Sequence, residues 1–272
     1  MNTVKPDRRI FLIDYWSRKE ELSRHAREWY DKMLSEHGNE IQNSVNNTVI
    51  YEGRPDNNQW KDITDTKFVL IKADTVSAVM KCDTVKTGKT AVLNFASYKH
   101  PTGGWLQGSS AQEESLCSES TLGTTILNER FKDYYDWNNR HLNYALYLDR
   151  ALYSPDILFI RGNETRKADV ITCAAPNWKA CGKYHPEKED DNILALDDRT
   201  VFLKDMCEAN NVNTFITGAW GCGVFGQNPE TVCDYFLTNF SRCSLKYVIF
   251  AVPDDRTYQA FRNKGGSKLI IS

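Results

Sequence analysis

Five apolar runs, KFVLIKA, TAVLNFA, ADVITCAAP, NTFITGAW and KYVIFAVPD, alternate along the chain with stretches of helical character, and this alternation restricts the fold more than any other feature. Runs such as YVIFAV, apolar at consecutive positions, suit strands covered on both faces. The expected fold is therefore a layered α/β sheet with helices on either side. Helical segments are expected to begin near Ala111, Asp197 and Pro229, with one more after Asp255. Ligands of such sheets collect at the carboxyl ends of the strands. The loops placed there are ADTVSAV, SYKHPTGGW, PNWKACGKYHPEKEDDN and GAWGCGVFGQNP. Within the third of these, the acidic-polar run HPEKEDDN is expected to be a solvated loop.

Upstream of the first strand, SRKEELSRHAREWYDKMLSEH has Ser17 and Glu20 in capping-box spacing and predicts a helix. Its Leu22, Trp29, Met33 and Leu34 form a stripe suited to packing on the rest of the protein. The expected organisation is a helical extension over residues 1–45 packed on a domain over residues 46–272; 272 residues with 41% hydrophobic content are enough for one large core. With 34 basic against 36 acidic side chains the formal charge is -2, so no global field recruits nucleic acid or anionic lipid, and direct nucleic-acid binding is not expected. No run approaches the ~20 apolar residues of a membrane span, and the N-terminus MNTVKPDRRIFLIDYWSRKEE lacks the apolar core of a secretory signal, so a cytoplasmic setting is expected. The eight cysteines show neither C-x-x-C pairs nor histidine spacing, which points to free thiols and no metal.

The chemistry-bearing residues concentrate in two loops. In NFASYKHPTGGWLQGSSAQEESLCSES, Glu113 and Glu114 follow the dipeptide Gly103-Gly104. Adjacent acids on a helix diverge by about a quarter turn, so they are not the facing carboxylates of an ordinary glycosidase. Acids near a helix start also complement its dipole. That account explains the acids but not the glycine turn and amide beside them, which suit a sugar or phosphate approaching the backbone. In GAWGCGVFGQNPETV, successive N–H groups from Gly221 to Phe225 either line an anion pocket or serve a tight turn; the segment is neither a P-loop nor a clear dinucleotide fingerprint. Phe225 stacks on a base or fills core. Asp74 accepts from an exocyclic amine or caps a helix. Asn94 meets a ribose hydroxyl or holds a turn.

Together, TGGWLQGSSAQEE, VLNFAS, ITCAAPN and GAWGCGVFGQNP resemble, in order and spacing, the microbial-type poly(ADP-ribose) glycohydrolases, over about residues 65 to 255. The resemblance implies a three-layer α/β/α macrodomain with a mixed central sheet. It implies an ADP-ribosyl hydrolase that cleaves the O-glycosidic ribose–ribose bond of poly(ADP-ribose), with ADP-ribose, its polymer and ADP-ribosylated proteins as partners and without metal or cofactor. By the same resemblance Glu114 is the general acid and base, and Glu113 and Gln112 orient it and the distal ribose. Asn94 holds ribose hydroxyls, Gly103 and Gly104 admit diphosphate and ribose, and Gly221, Cys222, Gly223 and Val224 bind phosphate through N–H groups. Phe225 stacks near adenine or ribose and Asp74 bonds the adenine amine. Burial and the neighbouring acid are expected to raise the pKa of Glu114. Thr102 stands where the family signature has a further glycine; its Cβ restricts positive φ and narrows the space beside the distal ribose. The competing expectations are a reader that binds ADP-ribose without turnover and a hydrolase of mono-ADP-ribose on protein side chains or nucleic acid.

Overall fold

The computed structural model describes residues 8–56, 63–82 and 88–272, with side chains from Ser17 onward. Among the described residues ten strands follow one another: β1 (Val49–Glu52), β2 (Thr64–Asp65), β3 (Lys67–Ile71), β4 (Thr90–Phe95), β5 (Arg150–Arg161), β6 (Glu164–Cys173), β7 (Thr214–Thr217), β8 (Arg242–Cys243), β9 (Tyr247–Ala251) and β10 (Leu269–Ile271). Eight of them form one sheet in the order β1-β5-β6-β4-β7-β9-β3-β10, and β2 pairs with β8 beside it. From β6 to β10 in that order the pairs are parallel, while β1, β5 and β6 are antiparallel, so the sheet is mixed.

The two-residue period of a strand divides the apolar residues between two cores. Ala91 and Leu93 of β4 enter one core, which the helices Glu189–Ala209, Pro229–Asn239 and Asp255–Gly265 close. Val92 enters the other, against the helices Arg8–Asn47, Thr75–Lys81, Gln112–Ser118, Leu122–Ile126 and Lys132–Arg140. The result is the expected three-layer arrangement, and all five expected strands are present as β3, β4, β6, β7 and β9.

The differences have physical causes. The N-terminal helix already begins at Arg8 and runs through Ser17, so Ser17 caps nothing, and it bends at His37 (φ -131°, ψ 26°). It buries Ala26, Met33, Ile41 and Val45, whereas Leu34 is 43% exposed because it stands about 100° round the helix from Met33. The run HPEKEDDN is no loop: Pro186–Lys188 makes a single turn and the next helix starts at Glu189, well before Asp197. Its acids Glu189, Asp190 and Asp191 occupy the first turn, where the helix dipole favours them. The long strand β5 contains Ser154-Pro155-Asp156, which looks like a break in sequence; the register with β6 shifts between Ser154 and Ile157, and the bulge accommodates the proline. Among the described residues no helix is long and apolar enough to cross a membrane.

Candidate active site

A largely apolar cleft of about 550 Å³ opens at the carboxyl ends of β3, β4, β6, β7 and β9. Its walls come from Asp74–Val76, Phe95–Ala96, Ala219–Phe225 and Ala251–Asp254, and the start of the helix Gln112–Ser118 lies along it. The size suits one small ligand with a few polar contacts.

Of the three residues that open that helix, Gln112 lines the cleft, whereas Glu113 and Glu114 are buried behind its lining, as is Asn94. Gln112 uses both ends of its amide: Oε1 accepts from Phe95 N (2.8 Å), and Nε2 donates to Leu93 O (2.9 Å) and Thr75 Oγ1 (3.2 Å). It fixes the helix against the end of β4. Glu113 is 3% exposed; Oε1 accepts from Asn94 Nδ2 (3.0 Å) and Oε2 from Ser97 N (2.8 Å). Glu114 is 7% exposed; Oε1 accepts from Gly104 N (2.9 Å) and Oε2 from Ala111 N (2.9 Å), the latter closing half of a capping box. Burial pushes the Glu113 carboxyl up to about 8, with the Glu114 charge adding to it and the Ser97 and Asn94 donors opposing. The raised carboxyl is thus found at Glu113. Asn94 is wholly buried: its amide also reaches Thr172 Oγ1 (3.3 Å), and its Oδ1 has no partner among the described residues.

The two carboxylates converge on Gly103. A Cβ there would lie 2.7 Å from Glu114 Oε1 and 3.0 Å from Glu113 Oε2, and φ is +59°, so glycine is required on both counts. The turn before it closes through Gly103 N to His100 O (3.1 Å), with Pro101 second and Thr102 third. A turn with proline second and positive φ third favours glycine at that third place. Thr102 nevertheless adopts φ +64° and is 3% exposed. Left-handed backbone at a β-branched residue costs roughly 1–2 kcal/mol. Thr102→Gly is therefore expected to raise stability by about 1 kcal/mol in urea titration, after the added chain entropy of glycine is discounted; a variant less stable than wild type would show that the buried threonine side chain contributes more than its backbone costs.

In the second glycine loop, Gly221 (φ +76°) has no room for a Cβ, which would stand 2.8 Å from Ala175 Cβ. Gln227 closes the loop by donating to Pro176 O (2.7 Å) and Asn192 Oδ1 (2.8 Å). Cys222 N donates to Ala219 O (3.1 Å), so this N–H is already in use. Gly223 is open, and Val224 is 76% exposed. Phe225 is half-buried and sits against Tyr147 (6.1 Å between rings), which stacks on Tyr98 (4.3 Å).

Asp74 lines the cleft and is also the cap of the helix Thr75–Lys81, accepting from Ser77 N (2.9 Å) and Ser77 Oγ (2.6 Å). Arg161 adds bonds to both carboxylate oxygens (3.0 and 3.4 Å) and pairs with Glu119. Burial works against the Asp74 charge, but the Arg161 guanidinium and the two Ser77 donors outweigh it and hold the carboxyl at about 2. Neither Arg161 nor the far wall, Pro253, Asp254 and Thr257, was nominated from the sequence. Asp254 caps the helix Asp255–Gly265 through Thr257 N (2.8 Å). An Asp followed three residues on by a hydroxyl residue was the available signal for this wall, whereas Arg161 comes from a strand tip with no motif.

A mixed sheet between two helical layers, with a cleft at the carboxyl ends and a glycine loop joined to a Gln-Glu-Glu helix start, defines the macrodomain class. Residues 26–162 match the family described as the catalytic domain of microbial-type PARG, poly(ADP-ribose) glycohydrolase, and the chain belongs to that family. The poly(ADP-ribose) glycohydrolase of Deinococcus radiodurans in complex with ADP-ribose is similar at a TM-score of 0.73 and 27% identity, over 84% of this chain and 97% of that one. The enzyme of Thermomonospora curvata shares the fold at a TM-score of 0.76 and 24% identity, over 90% and 99% of the two chains. The latter has also been solved bound to the inhibitor ADP-HPD. No curated protein sequence matches this chain.

Proposed function

We propose that this protein hydrolyses the O-glycosidic ribose–ribose bond of poly(ADP-ribose) and releases ADP-ribose, which occupies the cleft. The observation that carries this reading is the buried pair Glu113–Glu114, fixed by Asn94 and by the N–H groups of Ser97, Gly104 and Ala111 against Gly103, next in sequence to Ala111 and Gln112 of the cleft wall. Glu114 gives its proton to the leaving ribose oxygen as the anomeric C–O bond breaks, and the ligand's own diphosphate offsets the charge of the oxocarbenium-like centre. Water then attacks the anomeric carbon and returns a proton to Glu114. Glu113 orients this centre, Asn94 fixes Glu113, and Gln112 fixes the helix that carries both. Residues 46–272 form the catalytic domain in this reading and residues 1–45 its extension. ADP-ribosylated proteins are the macromolecular partners, and eight unpaired thiols suit a cytoplasmic setting.

Incubation with poly(ADP-ribose) and with proteins carrying mono-ADP-ribose on defined linkages tests the reading. Free ADP-ribose from the polymer supports it. Release from the mono-modified proteins alone makes the chain a mono-ADP-ribosyl hydrolase, and binding without release makes it a reader. In the glycine loop the open N–H groups at Gly221, Gly223 and Val224 are assigned to the diphosphate, with Phe225 beside adenine or ribose. Gly223 has no neighbour within 4 Å of a Cβ, so Gly223→Glu is expected to fold normally while its carboxylate repels the diphosphate. Calorimetry should show ADP-ribose affinity reduced by at least ~100-fold, roughly 3 kcal/mol; unchanged affinity would remove this loop from the site.

A further inference from the structure

We infer that the N-terminal helix is part of the catalytic machinery: through Ser23 it holds the glycine loop that in turn holds the Glu114 carboxylate. This rests on the catalytic assignment of Glu114 above. Lys19, Ser23, Ala26 and Tyr30 lie on successive turns of one helix face. From that face Ser23 Oγ donates to Leu106 O at 2.7 Å, and Arg27 Nη2 approaches the same oxygen at 3.5 Å. Gly108, at φ +79°, ends the turn Trp105–Gln107, and a Cβ there would lie 2.0 Å from Lys19 O. Only glycine permits so close a meeting of two backbones.

From this contact the chain of bonds to the carboxylate is short. Gly108 N and Ser109 N close the turn on Trp105 O and Gly104 O, and Gly104 N donates to Glu114 Oε1 at 2.9 Å. The Trp105 indole donates to Ser118 Oγ (2.9 Å) at the end of the catalytic helix. The same N-terminal helix grips the chain just beyond that point, where Trp29 Nε1 donates to Ser120 O (3.0 Å). Loop and catalytic helix are therefore both referenced to one helical segment, Ser23 to Trp29, ahead of the bend at His37.

Docking of the helix does not need the Ser23 contact. Ala26 is buried, and so are Met33, Ile41 and Val45 on later turns. The Ser23 end is instead polar and directed at a loop containing Gly103, Gly104 and Gly108, whose freedom must be removed before Gly104 N can face Glu114. Ser23 is a positioning residue, and misplacement of a catalytic group by even 1 Å can cost about 10²-fold in rate.

The test compares wild type, Ser23→Thr and the double variant Ser23→Ala with Arg27→Ala. It measures kcat and KM on poly(ADP-ribose), amide hydrogen exchange over residues 102–108, and Tm. The double variant is expected to lose about tenfold in kcat with KM nearly unchanged, to exchange faster in 102–108 but not in 33–45, and to melt close to wild type. Ser23→Thr, which keeps the hydroxyl, should behave as wild type. Wild-type kcat in the double variant, unchanged exchange in the loop, or a rate loss explained by a lower Tm would each overturn the inference. If wild type itself cleaves no polymer, the proposed function fails, and the exchange data alone then support or overturn the clamp.

Discussion

Glu114→Gln is expected to bind ADP-ribose within about an order of magnitude of wild type while its kcat on poly(ADP-ribose) falls at least ~100-fold, because loss of a positioned acid typically costs 10²–10⁴-fold, roughly 3 to 5 kcal/mol of barrier. The glutamine keeps the shape but has no proton to transfer. It also alters the local bonding in a way that needs its own control. Both partners of the Glu114 carboxylate are N–H donors, Gly104 N and Ala111 N. An amide oxygen satisfies one of them, and the NH2 group then faces the other, at a cost of about 1–3 kcal/mol in stability. Kinetics must therefore be measured where the variant is shown to be folded. Retained turnover in a folded Glu114→Gln protein would show that another group moves the proton.

Glu113→Gln is expected to gain stability relative to wild type as pH rises. The Glu113 carboxyl is held at about 8, well above its ordinary 4.5, chiefly by burial. A raised carboxyl stabilises the fold fully below about pH 4.5; that contribution is lost progressively as pH rises to about 8, where the folded protein also gives up the proton. The swing has a ceiling of about 5 kcal/mol. Glutamine cannot ionise, so its stability relative to wild type should improve steadily between pH 4.5 and 8 in urea titrations. A constant difference across that range would place an ionised carboxylate at position 113.

The parts legible in the sequence were those encoded locally. The five strands declared themselves because strands covered on both faces must be apolar at every position. Both glycine loops and the Gln-Glu-Glu start were visible because positive φ and close approach leave glycine as a mark; Gly103 and Gly221 show that directly. Strand β5 was hidden by Pro155, which a bulge tolerates and a simple pattern does not. The helix start at Glu189 was hidden by acids that suit solvated loops and first turns equally well. The roles of Arg161 and Ser23 could not be read at all, since their partners Asp74, Glu119 and Leu106 are distant in sequence and nothing local specifies them. Asp74 caps a helix, one of its two sequence readings, and also stands in the cleft wall.

The placement of β3 imposes an order on biosynthesis. This strand lies between β9 and β10, so neither of its edges can be hydrogen-bonded until the ribosome has made residues 247–251 and 269–271. Roughly 180 residues separate Lys67 from Tyr247, which at about 5–20 residues per second is a wait of roughly 10–40 s. During that interval KFVLI is an apolar segment with two open edges, the kind of nascent chain that invites self-association or a chaperone. Expression yield should thus respond to slower or cooler translation and to chaperone supply more than the packing of the finished fold would suggest.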